Sequence, residues 1–75
     1  MQTLKDLKIG EKAIIRRIQG DPVLRKRLLV MGVVPGTEVM IEKVAPLGDP
    51  VDVFLKGFHL SLRKEEAQNV DVEVI

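Results

Sequence analysis

A chain of 75 residues supports one domain and buries only about 60% of the surface its unfolded form exposes, so its core is one thin layer and a deep catalytic cleft is not expected. Hydrophobic residues make up 45% of it, yet Phe54 and Phe58 are its only aromatics, so valine, isoleucine and leucine must form the core, and β-branched side chains favour strands. Twelve lysines and arginines against eleven acidic residues, interspersed, leave a net charge of +1 with no cysteine, which excludes a strong footprint for nucleic acid, a disulfide framework and a thiolate metal cage, and makes a reducing cytosol the natural compartment.

Met1 to Gly10 is too polar for a signal peptide, and no apolar run approaches the ~18 residues a spanning helix needs, so direct membrane insertion is not expected. No linker, repeat or low-complexity stretch interrupts the chain. Residues 1–75 therefore read as a single domain.

Leu4, Leu7 and Ile9 precede Gly10 in a short segment that Thr3 can cap, a turn of helix. Glu11 to Ile18 reads as the first strand. Its adjacent Ile14 and Ile15 blur the alternation, which suggests partial cover on both faces, and its far end carries Arg16 and Arg17. Asp21 before Pro22, a run of helix formers and a closing Gly32 mark a capped helix. On a 3.6-residue wheel Leu24, Leu28 and Met31 fall together toward the core, and Val23, Leu29 and Val30 fall outside that stripe.

Pro35-Gly36 reads as a type II turn leading into a hairpin. Its arms are Glu38 to Ala45, with Val39 and Ile41 inward, and Val51 to Lys56, with Val53 and Leu55 inward. Between them Pro46-Leu47-Gly48-Asp49-Pro50 projects stiffly, since prolines on both sides stop strand pairing from running into it. Past Gly57 a further arm places Phe58, Leu60 and Leu62 on one face. Arg63 to Gln68 is a short helical turn, and a last strand alternates Val70, Val72 and Val74 with Asp71 and Glu73. The expectation is a mainly β fold, a small SH3-like barrel of about five strands with one α-helix and short helical turns.

The order of motifs resembles the ferrous iron transport protein A (FeoA) family. The resemblance spans nearly the whole chain. It rests on Leu4-x-x-Leu7-x-x-Gly10, Gly20-Asp21, Arg27-Leu28-x-x-Met31-Gly32-x-x-Pro35-Gly36, Ala45-Pro46-Leu47-Gly48-Asp49-Pro50 and Leu62-Arg63-x-x-Glu66-Ala67. It implies an SH3-like cytoplasmic accessory protein of the FeoB ferrous iron transporter, a membrane protein with a cytosolic guanine-nucleotide-binding domain. The family brings no established catalytic residues, so no enzyme activity is expected.

The residues themselves limit what chemistry is available. His59, the sole histidine, falls opposite Phe58, Leu60 and Leu62 and is expected at the surface. With Glu65 and Glu66 it makes only part of the three- or four-ligand set of a metal site, so no metal or cofactor is assigned. Ser61 lies two residues from His59 on one strand face, about 7 Å away along the backbone, with no orienting acid, so a serine nucleophile is not supported. The two Gly-Asp-Pro sequences at Gly20 and Gly48 are turns, because neither has the lysine of a phosphate loop. Arg16, Arg17, Arg25, Lys26 and Arg27 form a basic cluster suited to an acidic protein surface, or to solvent alone. No nucleic acid is expected there, because no exposed aromatics accompany the cluster.

Unused apolar residues remain. Leu29, Val30 and Arg25 on the helix's outer face, with Leu47 and Asp49 on the 46–50 loop, are assigned to docking a partner protein. In a hairpin symmetric about Gly48, Phe54 would face Glu42 and lie diagonal to Met40, forming a small patch. The final strand, ending at Ile75, is a candidate open edge for pairing into a homodimer. The competing reading is the SH3-like regulatory domain of an iron-dependent transcriptional repressor. The short lead from Met1 to the first motif favours a free-standing protein.

Overall fold

The computed structural model describes residues 2–75. In chain order it contains β1 (Gln2–Thr3), a 3₁₀ turn (Leu4–Asp6), β2 (Lys12–Ile18), α1 (Pro22–Val30), β3 (Glu38–Val44), β4 (Val51–Leu55), β5 (Phe58–Leu62), α2 (Lys64–Ala67) and β6 (Val70–Val74). The strands form one sheet in the order β1-β6-β2-β3-β4-β5, with every pairing antiparallel. The mainly β class, the central helix and the short helical turns are as expected. The sixth strand is not: Gln2 and Thr3 pair with Val72 and Asp71, and two residues are too few to show an alternation.

That short strand also covers the edge expected for a homodimer at Val72 and Asp71. β6 lies between β1 and β2, so the open edges are β1 and β5. Alternation along a strand reports its buried face, whereas its neighbours are set by tertiary packing.

Inward positions of β2, β3, β4 and β6 supply Ala13, Ile15, Val39, Ile41, Val51, Val53, Leu55, Val70 and Val72 to a single core. Each fully buried valine, isoleucine or leucine among them stabilises the fold by about 1.5–3 kcal/mol. The alternation is cleanest in β4, where Val51, Val53 and Leu55 are buried and Asp52 and Phe54 are half-buried. It decays at the margins. On the edge strand β5 only Leu62 is fully buried, Leu60 is half-buried, and Phe58 is 40% exposed. On β6 the terminal Val74 is exposed, and Asp71, expected outward, is buried. Asp71 Oδ2 accepts from Arg17 Nε at 3.3 Å and Gln19 Nε2 at 2.8 Å, so its charge is compensated where a lone carboxylate would be costly.

Two bulges set the outer face. The β3–β4 pairing begins one residue off a hairpin symmetric about Gly48, with Val44 opposite Val51, and shifts again between Ile41 and Lys43, which together place Phe54 opposite Met40, not Glu42. Phe54 in turn faces His59 on β5, with ring centroids 5.1 Å apart. The β2–β6 register shifts between Ile15 and Arg17. Arg16 and Arg17 are consequently both exposed, although neighbours on a regular strand point to opposite faces.

Local signals place α1 as read. Asp21 Oδ1 accepts from the Leu24 amide at 2.9 Å, and Pro22 takes the first helical position. At the other end Gly32, at φ +92°, reverses the chain. Its amide donates to the Leu29 carbonyl and that of Val33 to the Leu28 carbonyl, both at 3.0 Å. The Pro35-Gly36 turn is of type II, with Gly36 at φ +90° and the Thr37 amide donating to the Val34 carbonyl at 3.2 Å.

Candidate functional site

A nine-residue helix is marginal in isolation, so α1 depends on what pins it. Leu28 is its one fully buried residue, and Leu24 and Met31 pack half-buried against the core. Arg27 supplies the second anchor by pairing with the buried Glu66 of α2. The other carboxylate oxygen of Glu66 accepts from the Arg63 amide at 2.8 Å, so one side chain caps α2 and holds α1. Glu66 is therefore not a metal partner of His59. The spacing of Glu66 three residues after Arg63 is the visible trace of that capping arrangement.

The outer face of α1 is bare. Val23 and Val30 are each 79% exposed, and Leu29 is 46% exposed. At the tip of the 46–50 loop Leu47 is 92% exposed. Hydrogen bonds from the Gly48 amide to the Ala45 carbonyl (2.7 Å) and from the Ala45 amide to the Pro50 carbonyl (3.1 Å) shape the loop. Asp49 does not face outward with Leu47. Its Oδ1 accepts from the Lys64 amide at 2.9 Å and lies 3.8 Å from Arg63 Nε. Of the five residues assigned to docking, Asp49 thus positions the loop on α2, and Arg25, Leu29, Val30 and Leu47 are exposed. Loop and helix are tied through α2, by Asp49 to Lys64 on one side and Glu66 to Arg27 on the other.

The basic cluster divides. Arg27 turns to Glu66, while Arg16 and Arg17 of β2 and Arg25 and Lys26 of α1 line a groove of about 430 Å³. Ile18, Pro22, Leu29 and Pro35 complete its lining. Arg16 Nε donates to Glu73 at 2.8 Å and Arg17 Nε to Asp71, both carboxylates on β6. The β2 bulge that presents both arginines leaves no mark in the sequence.

His59 is exposed, as expected, but its partner is Glu42, whose Oε1 lies 2.5 Å from Nδ1. The bulge in β3 brings Glu42 within reach. Lys43, Asp52, Leu60 and Ser61 share the surrounding depression of about 520 Å³. Among the described residues no group of three or more histidine, cysteine, aspartate or glutamate side chains could hold a metal ion. Among the described residues no helix is long and apolar enough to cross a membrane.

Comparison with known proteins bears on this arrangement. A fusion of Fe(2+) transport protein A with the Fe(2+) transporter FeoB from Porphyromonas gingivalis is 42% identical over 72 residues, which are 96% of this chain and 8% of the fusion. The chain therefore spans under a tenth of that relative. The solution structure of a FeoA-like protein from Clostridium acetobutylicum superposes with a TM-score of 0.90 at 41% identity, covering 97% of this chain and 85% of the other. FeoA from Stenotrophomonas maltophilia, solved with zinc and described as a prokaryotic SH3 domain protein, gives 0.85 at 28% identity, covering 97% and 91%. A manganese-dependent transcriptional repressor matches at 17% identity and 0.92 over 36% of its chain, a likeness of fold alone. The FeoA domain profile matches residues 2–74, and with an SH3-like sheet shared across these relatives the chain belongs to the FeoA family, which is linked to ferrous iron transport.

Proposed function

We propose that this chain is a cytoplasmic accessory protein of a FeoB-type ferrous iron uptake system, binding the transporter from its cytosolic side and supporting or regulating Fe(II) transport without catalysing a reaction. The P. gingivalis fusion supports the choice of partner, because it joins the two functions in one chain. The observation that carries the mode of action is the helix. α1 is pinned by Leu28 and Arg27 and leaves Val23 and Val30 exposed on one face and Leu29 on the adjoining one, apolar contacts suited to a partner's hydrophobic groove. Leu47 offers a second apolar contact at a loop braced by Asp49.

The test is an amide-shift titration of the labelled chain with the cytosolic region of a FeoB-type transporter. Shifts should concentrate on α1 and the 46–50 loop. Leu29→Glu and Leu47→Glu should abolish them while leaving the rest of the spectrum dispersed. Unchanged affinity in both variants would sink the proposal.

A further inference from the structure

The groove between β2 and α1 has two walls of the same sign. On the β2 side the bulge turns Arg16 and Arg17 outward together, and each is held through Nε by a carboxylate of β6. Both terminal nitrogens of Arg17 remain without a hydrogen bond among the described residues. On the α1 side Pro22, Arg25, Lys26 and Leu29 follow one another at i, i+3, i+4 and i+7 and so share one helical face. Arg25 and Lys26 have no ion-pair partner among the described residues. Counting the carboxylates behind Arg16 and Arg17, the groove keeps an excess of two positive charges in a chain whose total is +1. Its lining also contains four apolar residues, Ile18, Pro22, Leu29 and Pro35, and no acidic one.

A basic rim around an apolar centre matches a ligand that carries carboxylates beside an aliphatic side chain. We propose that this groove binds a short acidic segment of a partner protein, seating an apolar side chain between Leu29 and Pro35 and its carboxylates on Arg17, Arg25 and Lys26. The proposal rests on the reading of α1 as a docking helix and narrows that reading to one partner chemistry. Single-stranded nucleic acid fits less well, because no aromatic side chain lines the groove for base stacking. A contact this small is weak, and its charge complementarity acts chiefly on association rate and specificity.

The probe is a fluorescein-labelled synthetic peptide of aspartates flanking a central pair of leucines, with the asparagine version as control, titrated into the full chain and read by anisotropy and amide shifts. Shifts are expected at Arg17, Ile18, Arg25 and Leu29. Affinity should fall as salt rises through the screening range, and R25E/K26E should lose about tenfold or more by charge reversal at exposed sites. K5E, an exposed charge reversal outside the groove's lining, should bind as the parent does, and both variants should keep the parent's circular dichroism. Equal affinity for the asparagine peptide, indifference to R25E/K26E, or shifts centred elsewhere would overturn the proposal. A transporter titration in parallel separates the two readings. Peptide binding with a silent transporter leaves the groove standing and removes the docking assignment, whereas transporter binding lost in L29E but unaffected by R25E/K26E removes the groove.

Discussion

Strand β4 and helix α1 use their apolar residues in opposite ways. β4 has five residues and buries Val51, Val53 and Leu55; α1 has nine and buries Leu28 alone. A central strand is covered by its neighbours and by the core beneath, so its alternation converts into stability. α1 is held by one buried leucine, one ion pair from the exposed Arg27 to the buried Glu66, and two terminal caps. The difference teaches that α1 adds little to the core and much to the surface, with two valines left largely in water.

The sharpest break of this contrast is in β4. Leu55→Ala should cost about 2–5 kcal/mol in denaturant unfolding, the range for truncating a fully buried leucine, and should unfold the domain as one unit. Leu28→Ala removes the same atoms from α1 and should fall at the lower end of that range, because a marginal helix can settle into the gap. Its distinguishing readout is hydrogen exchange, in which α1 amides should lose protection ahead of β4 amides. If both variants lose protection uniformly, α1 is an integral part of the core and the contrast fails.

Glu66→Ala comes next. It strips the partner from the Arg63 amide and from Arg27 together, with an expected loss of about 1–3 kcal/mol. Glu66→Gln should recover part of the loss, because an amide oxygen still accepts from Arg63. Gly36→Ala forces a side chain onto a positive φ with open space around it, so backbone strain alone should cost about 1–2 kcal/mol by thermal melting. At the small end, Val30→Thr and Leu47→Ser should change stability by less than about 0.5 kcal/mol, as expected for exposed positions. A larger loss in either would mean that the residue packs internally.

Much of the local design was legible in the residues. Asp21-Pro22 and Gly32 marked both ends of α1, Pro35-Gly36 marked the type II turn, and period-two alternation marked β3, β4 and β6, because each signal acts within a few residues of chain. The exposed set on α1 was legible for the same reason, as the complement of the Leu24, Leu28 and Met31 stripe. The order of motifs also pointed to the family.

What the chain did not reveal depends on partners distant in sequence. The bulges at Ile15/Arg17 and Ile41/Lys43 decided that Arg16 and Arg17 share one rim and that Glu42, not a glutamate of α2, meets His59. Asp71 alternated like a solvent-facing residue, yet Arg17 and Gln19, more than fifty positions away, compensate it in a buried site. Asp49, assigned to docking, and Glu66, weighed as a partner of His59, proved to be fasteners for α2. Sequence by itself determined where the strands and helices other than β1 form, which face of most is apolar, and where the chain turns, because φ/ψ preference and side-chain periodicity are local properties. Only the tertiary structure decided the strand order, the covered edge of β6 and the basic groove, because each requires two segments to meet, and the free energy of that meeting is written in neither segment alone.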